Sequence, residues 1–147
     1  MARTRTPRPT DGELAILRVL WRNGPGTVRE IHALLTRVRP TGYTTVLKLL
    51  QIMIGKGLVT RDPRARPHVY HPRHAEEHTQ RQLVRDLLER AFGGARMQLF
   101  VQALAAEPAT PAELTEIRRL LDAYEHQRAT TESHPRSASG DRHEPAR

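Results

Sequence analysis

Two capping boxes and three glycine- or proline-bearing breakers cut the first half of the chain into three short helices, after which the hydrophobic period changes. Thr10-Asp11-Gly12-Glu13 pairs a hydroxyl with a glutamate three residues on, so each satisfies a backbone N–H that the first helical turn leaves free. Leu14, Ile16, Leu17, Leu20 and Trp21 follow at helical spacing, and Asn23-Gly24-Pro25-Gly26 ends the run. Thr27-Val28-Arg29-Glu30 repeats the box and opens a second helix, with Val28, Ile31, Leu34 and Leu35 inward. Arg39-Pro40-Thr41-Gly42 breaks it, because the residue before proline is pushed out of helical angles. A third helix is expected from about Tyr43 to Ile54, burying Val46, Leu49, Leu50 and Met53 and stopping at Gly55-Lys56-Gly57.

Next come two short β-prone runs, Leu58 to Arg61 and His68 to His71, around a proline-rich loop, Asp62 to Pro67. They read as an edge hairpin with a basic tip. Helical periodicity returns from about Ala75 to Phe92, closed by Gly93-Gly94, and continues in a shorter helix carrying Met97, Leu99, Phe100, Val101 and Leu104. Thr110-Pro111-Ala112-Glu113 combines an N-cap, proline at the first helical position and a box-closing Glu, and it opens a last helix with Leu114, Ile117, Leu120, Leu121 and Tyr124. The fold class is therefore mainly α with a small β-hairpin wing: a winged helix-turn-helix followed by a helical dimerisation region. The divisions expected are a basic flexible arm (1–9), a winged-helix DNA-binding domain (10–73), a helical dimerisation domain (74–128) and a disordered tail (129–147).

Charge indicates which half meets the partner. The net charge is +8. Residues 1–9 carry three Arg and no acid, and residues 10–72 carry ten basic against four acidic side chains. Residues 105–128 carry three against five. A positive excess confined to one half suits a module that faces a polyanion beside one that faces protein. Helices one and two would brace the third, leaving Tyr43, Thr44, Thr45, Lys48 and Gln51 free to enter a major groove. Arg64 and Arg66, at the hairpin tip, would follow the backbone or enter the minor groove.

Other chemistries find little support. There is no cysteine, which excludes disulfides and thiolate metal sites. No apolar run approaches the roughly 18 residues of a membrane span, and the N-terminus lacks a signal peptide's apolar stretch, so a cytoplasmic protein is expected. No phosphate loop, nucleophile elbow or zincin pair occurs, so the chain is not read as an enzyme. His68, His71, His74 and His78 lack carboxylate or thiolate help and read as surface polar residues, so neither a metal nor a cofactor is expected. A non-specific duplex-binding, chromosome-organising role is the alternative to sequence-specific repression. Single-strand binding is disfavoured by the scarcity and scatter of aromatics.

Tyr43-Thr44-Thr45-Val46, Lys56-Gly57-Leu58-Val59 and His68-Val69-Tyr70 resemble, in order and spacing, the reading head of the BlaI/MecI (penicillinase repressor) family. Leu14 to Trp21 and Phe92-Gly93-Gly94 are similar too, and the likeness covers roughly residues 10–125. The resemblance implies a homodimeric transcriptional repressor on a two-fold symmetric double-stranded operator, controlling β-lactam or cell-wall stress genes. It also implies a membrane sensor-protease as partner, releasing the repressor by cleavage in the C-terminal helical region. This chain departs from the family in three places. The Asn–Phe bond cut in some members falls here near Gln102-Ala103. The cysteine cluster of the copper-responsive branch is missing. Ile52 stands where many relatives carry Arg.

Overall fold

The structure is a computed structural model and describes residues 7–133. Its elements run α1 (Asp11–Asn23), β1 (Gly26–Thr27), α2 (Val28–Val38), α3 (Tyr43–Lys56), β2 (Val59–Arg61), β3 (Val69–Pro72), α4 (Glu76–Phe92), α5 (Arg96–Ala106) and α6 (Pro111–Glu132). The chain divides into two compact units, the first ending at Ala95 and the second beginning at Arg96.

In the first unit, α1, α2 and α3 each turn one face to a common core. Ile16, Leu17 and Leu20 come from α1, Ile31 and Leu35 from α2, and Val46, Leu50 and Met53 from α3. Leu58, Val59 and Tyr70 close the core from the sheet side. Each such side chain contributes about 1.5–3 kcal/mol by leaving water, so this cluster rather than helix propensity holds the three helices. Leu34, expected inward, is only half-buried, as is Leu14, and both line a groove between α1 and α2.

The sheet has three strands in the order β1-β3-β2, all antiparallel, where the sequence suggests only a hairpin. Gly26 and Thr27 pair with Tyr70 and Val69, so the breaker after α1 also serves as an edge strand. That changes the second capping box. The Thr27 hydroxyl still accepts from the Glu30 N–H at 3.3 Å, but the Glu30 carboxylate accepts from that same hydroxyl, at 3.1 Å, instead of from the Thr27 backbone. The boxes at Thr10 and Thr110 are complete and reciprocal.

The turn from α3 into the wing is fixed by Gly57, whose φ of +74° is costly for any residue with a Cβ. The Gly57 N–H donates to Ile54 O and the Leu58 N–H to Met53 O, the paired bonds of a Schellman stop, with Leu58 and Met53 both in the core. β2 and β3 then pair with Thr60 opposite His71 and Arg61 opposite Tyr70.

Three contacts attach α4 and the N-terminal segment to this unit. The Trp21 indole N–H donates to His74 O at 3.0 Å, Thr79 is buried, and Arg8 pairs with Asp86 at 2.8 Å. Arg8 belongs to the stretch expected as a flexible arm, and here it is anchored; the structure does not describe residues 1–6. In the second unit α6 runs to Glu132, four residues beyond the expected end of the helical region. Residues 134–147 of the expected tail lie outside the described residues.

Candidate nucleic-acid interface

The α3 helix separates its two faces cleanly. Val46, Leu50 and Met53 are fully buried, while Tyr43, Thr44, Thr45, Lys48 and Gln51 are all exposed. Thr44, Lys48 and Gln51 recur at i, i+4 and i+7 and so share one stripe. The stripe begins at a helix start that no side chain caps: Gly42 occupies the N-cap, and the first-turn N–H groups keep their partial positive charge. Ile52, 41 % exposed, lies on the outward side and offers a contacting surface without a charge.

His32 was not legible as part of this site. Its Nε2 lies 2.8 Å from Thr41 O, and its ring meets Tyr43 edge-on at 5.8 Å. Donation to that carbonyl fixes the α2–α3 turn and backs the Tyr43 ring from α2. The two residues are far apart in sequence and follow no helical spacing, so periodicity gives no signal for the contact.

The loop between β2 and β3 carries both expected arginines, both exposed. Its shape is set by the Arg64 N–H donating to the Asp62 carboxylate at 2.9 Å. Arg66 turns inward: its guanidinium donates to Pro63 O at 3.2 Å and Ala65 O at 3.1 Å and touches the His68 ring. Arg64, by contrast, keeps its guanidinium out of any ion pair among the described residues. Arg61, exposed on β2 beside the loop, adds a third cation, one that no motif in the sequence marks.

His74 and His78 stack at 4.4 Å just before and within α4. Burial, then the His78 ring, then Arg73 hold the His74 imidazole below its ordinary pKa of 6.5. The unfolded chain therefore binds the proton more readily than the folded one. This residue's contribution to stability is complete above pH 6.5 and is lost as pH falls from there through the lowered value. A proton NMR titration should place the His74 midpoint below 6.5, and His78→Ala should raise it. A midpoint at or above 6.5 would contradict the assignment. No group of three or more metal-ligating side chains assembles among the described residues.

Three helices ending in a three-stranded wing, with a polar outward α3, define a winged helix-turn-helix protein. Residues 9–123 match the family model described as penicillinase repressor, and the chain belongs to that family of DNA-binding transcriptional repressors. It is similar to the "Transcriptional regulator BlaI" of Mycobacterium tuberculosis, in strains CDC 1551 / Oshkosh and ATCC 25618 / H37Rv. Identity to each is 35% over 104 residues, spanning 67% of this chain and 75% of the relative. No helix of the described residues is long and apolar enough to cross a membrane.

Proposed function

We propose that this repressor acts in the cytoplasm as a homodimer on a two-fold symmetric operator, reading sequence with α3. The observation that carries the reading is the division of α3: its apolar face is fully buried, so its polar face is held rigidly and is free to dock. Thr44, Thr45 and Gln51 offer hydroxyls and an amide to base edges or phosphates, and Lys48 a cation to phosphate or guanine. Tyr43, braced by His32, stands at the uncapped helix start where a phosphate is favoured. Arg64 grips the adjacent backbone, and Arg66 joins it once its loop contacts exchange for phosphate.

The second unit supplies the pairing surface. Leu114, Ile117, Leu121 and Tyr124 form one stripe on α6, and three of them are 37–60% exposed. No residue of α5 or α6 is buried within a single chain. In proteins most helical stability comes from packing an apolar face, and pairing across a two-fold axis provides that packing for α5 and α6. Operators of β-lactam or cell-wall stress genes are the targets that family membership suggests, and a membrane sensor-protease is the partner it suggests. Gln102 and Ala103, both exposed on α5, stand where that family's Asn–Phe bond falls, so a protease of that specificity would meet a different bond here.

Footprinting on the gene's own promoter tests the reading. A repressor protects a palindromic site and prefers it to random duplex by roughly a thousandfold or more at fixed salt. Equal affinity for both duplexes would favour the chromosome-organising alternative. Log affinity should also fall steeply with log salt, and Lys48→Ala or Arg64→Ala should each reduce that slope by about 1. An unchanged slope in both variants would misplace the docking face.

A further inference from the structure

We propose that the groove between α1 and α2 is a binding site for an amphiphilic organic anion, a molecule with an apolar body and one anionic head. The groove encloses about 680 Å³, within the range of small-molecule sites. Its walls are apolar: Leu14, Ala15 and Val19 from α1 face Leu34, Leu35 and Val38 from α2. Val38 is 86 % exposed, and Leu14 and Leu34 are half-buried and stand outside the core cluster.

The rim specifies the charge of the occupant. Arg18 and Arg22 stand one turn apart on α1, and Arg37 and Arg39 end α2, so guanidinium groups come from both walls. None of the four is in an ion pair among the described residues, and Asp11 is the single acid beside them. Planar guanidiniums suit a carboxylate or phosphate head, while the apolar walls suit a hydrocarbon body. A nucleic-acid backbone has the charge but not the apolar body, so it leaves the walls wet.

The groove also leads toward α3. A smaller cleft of about 260 Å³ shares Ala15, Leu35 and Arg39 with it and is lined by Thr41, Gly42 and Thr45. An occupant pressing on this end would displace the α2–α3 turn that His32 fixes. That consequence for operator affinity rests on the function proposed above. Occupancy of the groove does not, so the test reads binding alone.

Isothermal titration of the full-length protein with sodium decanoate, below its micelle concentration, should show one site per chain with Kd on the order of 10–100 µM. 1-Decanol should bind at least about tenfold weaker, the worth of one charge-assisted contact. Arg18→Gln with Arg37→Gln should weaken decanoate at least about tenfold while leaving decanol nearly unchanged. Both side chains are exposed, and circular dichroism verifies the fold; Arg22→Gln is the second variant should the pair not fold. The proposal is overturned by no decanoate binding up to about 1 mM, by equal binding of decanol, or by arginine variants that bind as tightly as the wild type. It is equally overturned if an acidic amphipathic peptide fills the groove and decanoate does not.

Discussion

Lys56→Met should destabilise the first unit by about 3 kcal/mol, the lower end of the cost of stranding one member of a buried ion pair. Glu13 is the cause. Its side chain is 2 % exposed, and its two oxygens accept from Lys56 Nζ at 2.8 and 3.0 Å. One of them also accepts the Thr10 N–H at 3.1 Å. The single carboxylate thus closes the capping box of α1 and ties that helix to the last turn of α3. Without the ammonium it keeps one backbone donor and no countercharge. Lys56 is 27 % exposed, so water reaches the vacated side and holds the cost at the lower end. Glu13→Gln should cost much less, about 1 kcal/mol: an amide still caps α1, and the stranded Lys56 can turn its head into water.

The double variant is decisive. Glu13→Gln in the Lys56→Met background removes the buried charge and should recover most of the loss, a coupling that independent sites do not show. Trp21, the only tryptophan, lies on α1, so its fluorescence follows unfolding of this unit alone. A shift of about 3 kcal/mol corresponds to a Tm lowered by roughly 12 °C or more for a unit of this size. If Lys56→Met unfolds within a degree or two of wild type, the Glu13–Lys56 pair does not join α1 to α3 in solution.

What the sequence disclosed and what it hid divide along one physical line. Signals carried within a few residues were readable. The Thr10 and Thr110 boxes, the breakers after α1, α2 and α3, and the stripe of α3 all follow from local hydrogen bonding and helical spacing. The outward set Tyr43, Thr44, Thr45, Lys48 and Gln51 was readable for the same reason, since burying Val46, Leu50 and Met53 leaves them no other direction. Contacts between distant residues were not readable. β1 exists because Gly26 and Thr27 meet Tyr70 and Val69, and two residues are too few to carry a strand period. Glu13 read as a capping residue, and only the packing of α1 on α3 shows its second partner. The fate of Arg66, turned onto the carbonyls of its own loop, depends on a loop conformation that composition does not encode.

If α6 pairs as proposed, Leu121→Glu combined with Tyr124→Glu should convert the protein to a folded monomer and lower operator affinity by a factor of about 10² to 10⁴, the usual worth of linking two binding modules. Both side chains are more than half exposed in a single chain and lie on the α6 stripe with Leu114 and Ile117. Glutamate is a good helix former, so α6 itself should persist, and its circular dichroism should be nearly unchanged. Across the proposed two-fold axis each substitution would occur twice, placing four like charges in one seam. Sedimentation should report the monomer. A single operator half-site should bind wild type and variant alike, since α3 and the wing are untouched. Two half-sites one helical turn apart should then bind the variant no better than one does. A variant that still sediments as a dimer would move the pairing surface off α6. A monomer that holds the full operator as tightly as wild type would show that one reading head is enough.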